Sequence, residues 1–98
     1  MARKITEDAV HAFMVAGKNF SNSNTSVMIE GDMVVLRLHG HAIARREVGS
    51  NQIQVTNAGW NTRTTNDRLN GLPGVSVHNS KGELYLNGNV WDGEWTNV

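Results

Sequence analysis

Apolar residues recur at three- and four-residue spacing near the start of the chain and at alternate positions through its middle. Two kinds of element are therefore predicted. In "ITEDAVHAFMVAGKNF", Val10, Phe13 and Met14 fall on one face of a helix of about three turns. Thr6 reads as its N-cap, with Glu7 and Asp8 placing negative charge in the first turn, where the helix dipole favours it. Ile5 and Val10 have the spacing of a hydrophobic staple, and Gly17 suits a left-handed stop. So short an amphipathic helix needs a sheet to cover its stripe.

"NSNTSV" reads as a polar connector, and the period then changes to two. "TSVMI" and "MVVLRLHG" are strands joined by a tight turn at "EGD". Val34, Leu36 and Leu38 face one way; Met33, Val35 and Arg37 face the other. A further hairpin turns at Gly40. Uninterrupted parity puts Ile43 and Arg45 on the Leu36/Leu38 face and Arg46 with Arg37 on the opposite one. "VGSNQ" turns into "IQVT", where Ile53 and Val55 alternate with polar residues, completing a four-stranded antiparallel meander.

From Asn57 to Asn61 the alternation is lost. Thr64 then reads as an N-cap with Asp67 in a capping-box relation, and "TNDRLN" gives a short second helix stopped at Gly71. Leu69 and Leu72 are placed for the contact that closes such a helix, and Pro73 bars its continuation. In the tail, "VSVH" and "ELYL" form a hairpin through Ser80-Lys81-Gly82, and Asn87-Gly88 turns the chain into a final piece carrying Trp91. The predicted class is α+β. An N-terminal helix packs on an antiparallel meander, followed by a short second helix and a C-terminal hairpin. The expected core takes Val10, Phe13 and Met14 from the first helix and Val34, Leu36, Leu38, Ile43, Ile53 and Val55 from the meander. Leu69, Leu72, Val75, Val77, Leu84 and Leu86 complete it.

Composition narrows the setting. At 98 residues the chain is expected to be a single domain, 1–98, able to bury roughly 60–65% of its unfolded surface. A hydrophobic fraction of 39% against 18% charged residues is globular. Nine basic and nine acidic residues cancel, so no global field draws nucleic acid or an anionic membrane, and such a partner would need a local basic patch. The absence of cysteine excludes disulfides and thiolate metal sites and suits a reducing cytoplasm. No apolar run has the length of a signal-peptide core or a membrane span, so a soluble intracellular protein without a membrane partner is expected.

Candidate chemistry is sparse. His39 and His41 flank Gly40, and His11 or His78 would be needed to complete a metal set. No spacing among them matches a known site, and polar residues suit a hairpin turn in any case. There is no cysteine nucleophile, no G-x-S-x-G elbow, no P-loop and no evident carboxylate pair. An enzyme is not expected, nor a cofactor or a metal. Binding fits better. Trp60 with Arg63 and Arg68, assisted by Arg37 and Arg46, would form a surface that stacks a planar ring and grips phosphate. The competing reading makes Trp60 a plug for the sheet's open end and pairs the arginines with Glu30, Glu47 or Asp67.

The runs "LHGHAIA", "VTNAGW", "NTRTTNDRLNGL" and "LYLNGNVWDG" together resemble a group of small tailed-bacteriophage proteins to which no chemistry is assigned. The likeness covers nearly the whole chain. It departs at His41, where the pattern has Asn, and at Tyr85, where an aromatic pair is reduced to one. What the resemblance implies is an accessory binding protein in the host cytoplasm. An anti-defence factor that binds a host defence complex or sequesters a nucleotide signal is the first expectation, and a sequence-independent nucleic-acid-binding accessory is the alternative. Met28, Met33 and Val35 on the outer sheet face, with Trp91 and Trp95 near the C-terminus, further predict a homo-oligomer.

Overall fold

The computed structural model describes residues 4–16 and 19–98. Helix α1 spans Lys4–His11 and continues as a wider, π-helical turn over Ala12–Ala16. Strands β1 (Phe20–Asn22), β2 (Thr25–Glu30), β3 (Met33–Leu38), β4 (His41–Glu47) and β5 (Gln54–Val55) follow as successive antiparallel neighbours. Helix α2 covers Arg63–Asn70, and β6 (Val77–Ser80), β7 (Glu83–Leu86) and β8 (Asn89–Val90) form a separate three-stranded sheet. Strand β9 (Thr96–Asn97) returns to pair with β5, so the main sheet runs β1-β2-β3-β4-β5-β9. The α+β architecture is the one predicted, with the meander extended by one strand at each end. Strand β1 joins Phe20, read from the sequence as the end of the first helical segment, to Asn22 of the supposed polar connector, and pairs Phe20 with Val27.

Helices and sheet meet on one face. Phe13, Val27, Leu36, Ile43, Val55 and Leu69 are fully buried there, and a single cluster of buried residues runs on through Val77 and Leu86 into the small sheet. Val10, Met14 and Leu84, expected in the core, are half-buried at its margin. The turns follow local chemistry. His39–Gly40, Lys81–Gly82 and Asn87–Gly88 each hold both residues at positive φ, the geometry that matches the twist of a two-residue hairpin.

Three local predictions are overturned by long-range packing. Thr6 is not an N-cap, and the staple built on that start does not arise. The helix already includes Lys4, and Thr6 lies buried inside it. Its hydroxyl donates to Asp67 Oδ2 at 2.6 Å. Asp67 is thereby taken from the capping box assigned to it, and α2 begins earlier than expected. Its N-cap is Thr62, whose Oγ1 accepts from the Thr65 amide at 3.2 Å. Gly17, the proposed helix stop, lies outside the described residues.

The third correction concerns parity. The β3–β4 register shifts between Leu36 and Arg37: Ala44 opposes Leu36, Ala42 opposes Arg37, and Ile43 has no partner. This bulge keeps Ile43 in the core but exchanges the two arginines after it. Arg46 lands opposite Val34 on the core face, and Arg45 opposite Val35 on the outer one.

Gly71 and Asn70 lock α2 in place. Gly71 has ordinary right-handed angles, φ −74 and ψ −16, so no left-handed cap is formed. Its hydrogen instead allows close approach to α1, because a Cβ there would run into Thr6 Cγ2. Beside it, the Asn70 amide imitates a strand neighbour. Its Nδ2 donates to the Val77 carbonyl at 2.9 Å, and its Oδ1 accepts from the Val77 amide at 2.6 Å.

Candidate ligand-binding site

The five residues proposed for a contact surface do not form one. Arg68 is 2% exposed, held where α1, α2 and β2 meet. Its Nε donates to Thr25 Oγ1 at 2.9 Å, and its Nη1 donates to Thr6 Oγ1 at 2.9 Å and to Asp67 Oδ2 at 2.6 Å. Arg46, at 8% exposure, closes the end of the widened helical turn. Its Nε donates to the Phe13 carbonyl at 2.8 Å, and its guanidinium lies 5.7 Å from the Phe13 ring centroid. Both arginines have their donors turned inward.

Arg37 stays on the outer face of β3. Its Nη2 is 2.8 Å from Glu30 Oε2, its Nε also reaches that carboxylate, and its Nη1 donates to the Gly40 carbonyl at 3.2 Å. Arg63 is exposed beside a shallow polar groove with Asn66, Asp67, Asn70 and Asn79.

Trp60 is the exception. It is 55% exposed, so it does not plug the sheet. The turn that carries it is tightly built. Ala58 and Gly59 take φ of 54° and 84°, and the Trp60 amide donates to the Asn57 carbonyl at 2.8 Å. An alanine at positive φ is strained, and the buried Asn57 overrides that preference. The Asn57 amide donates to the Gly93 carbonyl at 3.0 Å, its Oδ1 accepts from the Gly59 amide at 2.9 Å, and the Thr56 hydroxyl donates to the same Gly93 carbonyl. The indole is thus displayed on a backbone already fixed.

It borders a cleft of about 320 Å³ between the β3–β4 turn and the start of α2. Leu38 and Ile43 line its apolar part. His39, His41 and Trp60 are aromatic groups on its border, and Thr62, Thr64 and Thr65 complete the lining. The His41 and Trp60 ring centroids are 6.0 Å apart with planes inclined at 40°. Thr62 and Thr65 are committed to each other, their hydroxyl oxygens 3.0 Å apart. Among the described residues, no carboxylate, ammonium or guanidinium lines the cleft. The two histidines, read from the sequence as turn residues or a partial metal set, border the same cleft as Trp60, and among the described residues no group of three metal-ligating side chains forms. Spacing alone gave no signal of this, because the cleft depends on α2 packing against β4.

The surfaces expected to drive self-association are partly closed within the chain. Trp91 is buried and donates from Nε1 to the Glu94 carbonyl and to Thr96 Oγ1, both at 3.0 Å. Val35 is buried as well, while Met28 is 41% exposed. Trp95 is half-buried beneath Arg45, whose guanidinium carbon is 4.0 Å from the ring centroid.

Helices on one face of an antiparallel sheet, with a cleft where a hairpin turn meets the second helix, define a small α+β protein. The chain belongs to the Kyanoviridae Gp96 protein family, whose sequence model matches residues 2–97. It is a phage protein, as its resemblance implied. Comparison with curated proteins finds no match, and comparison with solved structures finds none. No helix among the described residues is long and apolar enough to cross a membrane.

Proposed function

We propose that this chain is a phage accessory binding protein that counters host defence, engaging a host defence complex or a nucleotide signal through the Trp60 cleft. The observation that carries this reading is the exposed indole on a rigid turn beside a partly apolar recess. A large aromatic displayed on a fixed backbone is an affinity anchor whose ordering cost is met before binding. The cleft also has the form of a ligand site, with apolar walls and a few convergent polar groups. Sequence-independent nucleic-acid binding gains no comparable support. Arg68 and Arg46 are turned inward and Arg37 is paired with Glu30, so of the five expected contact residues only Arg63, among the arginines, offers an exposed and unpaired guanidinium among the described residues.

The test is a phage challenge of bacteria carrying individual immune systems, with and without the protein. Relief of at least one system is expected, and Trp60→Ala should abolish it while leaving the protein folded, since the indole is more than half exposed. Failure to relieve any system counts against the anti-defence role. Relief that survives Trp60→Ala moves the contact elsewhere.

A further inference from the structure

We infer that the occupant of the Trp60 cleft is an uncharged planar heteroaromatic ring with several hydrogen-bonding edge atoms, that is, the base of a nucleoside or nucleotide. This rests on the binding role proposed above and adds the ligand's chemistry.

Three observations lead to it. The apolar part of the cleft comes from Leu38 and Ile43, and its aromatic border includes an indole and an imidazole inclined at 40°. Such a recess favours a flat ring laid against Trp60. The volume of about 320 Å³ lies at the small end for ligand pockets, enough for one ring system with part of its substituent. Finally, His39, His41 and Thr64 border the cleft with side chains open to solvent that make no hydrogen bond among the described residues, unlike the mutually bonded Thr62 and Thr65.

This last observation decides between two sources of an aromatic ring. The tryptophan of a partner protein carries one donor and the phenylalanine none, so either would cover those polar groups without satisfying them. A purine or pyrimidine carries donors and acceptors along its edge and can engage more than one of them. With no carboxylate, ammonium or guanidinium among the described residues of the lining, the cleft reads the base, and any phosphate remains in solvent.

The test uses the purified full chain and isothermal titration with adenosine, guanosine, cytidine and uridine, the matching 5′-monophosphates, ribose 5-phosphate and N-acetyltryptophanamide. At least one nucleoside should bind, and its monophosphate should bind within about threefold of it, because the phosphate makes no ionic contact. Ribose 5-phosphate should not bind. Trp60→Ala should weaken the nucleoside by about 5- to 150-fold, the range that base–aromatic stacking spans. Trp60→Phe should restore most of that loss, and Thr64→Val should change the ranking of the four bases. Binding of N-acetyltryptophanamide without any nucleoside would overturn the inference in favour of a protein anchor. Millimolar nucleoside with no heat, or binding indifferent to Trp60→Ala, would overturn it outright. Relief of an immune system that depends on Trp60, combined with no nucleoside binding, would leave the proposed role standing and remove this ligand.

Discussion

Arg68→Met isolates the contribution of the buried guanidinium. Methionine keeps an unbranched apolar stem and deletes every donor, so bonds to Thr25, Thr6 and Asp67 are lost together. Removing one member of a buried charge pair costs about 3–5 kcal/mol when the other is left without solvent. Here the penalty is smaller, because the Asp67 side chain is 21% exposed and recovers some hydration. Thr6 still donates to Asp67, and Thr25 still donates to Asn24 Oδ1, so neither hydroxyl is orphaned. A loss of about 2–3 kcal/mol follows, most of it from the stranded Asp67 charge and the lost charge-assisted bonds. In a chain of 98 residues that lowers the melting temperature by about 8–24 °C. Thermal unfolding followed by far-ultraviolet circular dichroism measures it. Asp67→Asn supplies the second arm of a double-mutant cycle, and the double variant should be about 1–2 kcal/mol more stable than the two single losses predict. A melting temperature within about 3 °C of the parent, or losses that simply add, would refute the reasoning. Below its transition Arg68→Met should bind and protect as the parent does, because Arg68 does not border the Trp60 cleft.

Gly71→Ala should destabilise by about 1–3 kcal/mol through overpacking against Thr6 Cγ2, whereas a glycine at these right-handed angles without that neighbour would gain stability from alanine. Thr6→Ser, which removes the obstructing methyl and keeps the hydroxyl, should recover part of the loss in the double variant; a Gly71→Ala protein as stable as the parent would count against the packing. The homo-oligomer proposed from the outer sheet face now rests chiefly on Met28, since Val35 and Trp91 are covered within the chain. Light scattering should show a multiple of the monomer mass that Met28→Lys reduces to one copy, and a monomeric parent at micromolar concentration would end that proposal.

What local spacing determines is legible in the sequence by itself. The hairpins at Gly40, Gly82 and Gly88, the alternation through β3 and the α+β order follow from short-range steric preference and burial, which act over a few residues. The tertiary structure decided whatever depends on residues far apart. Thr6 and Thr64 both read locally as caps, but contact with Asp67 and Arg68, some sixty positions away, takes Thr6 into the interior, and Thr62 caps α2 instead. One bulged residue at Ile43 reverses the face of everything after it, so strict alternation exchanges Arg45 with Arg46. A guanidinium beside an indole in the sequence suggests a binding surface, yet burial separates Arg68 from Trp60, and packing of α2 against β4 leaves the indole sharing a cleft with two histidines instead. Side-chain chemistry can be read one residue at a time. Which side chains share a cleft is set by chain closure, and sequence spacing carries little of that.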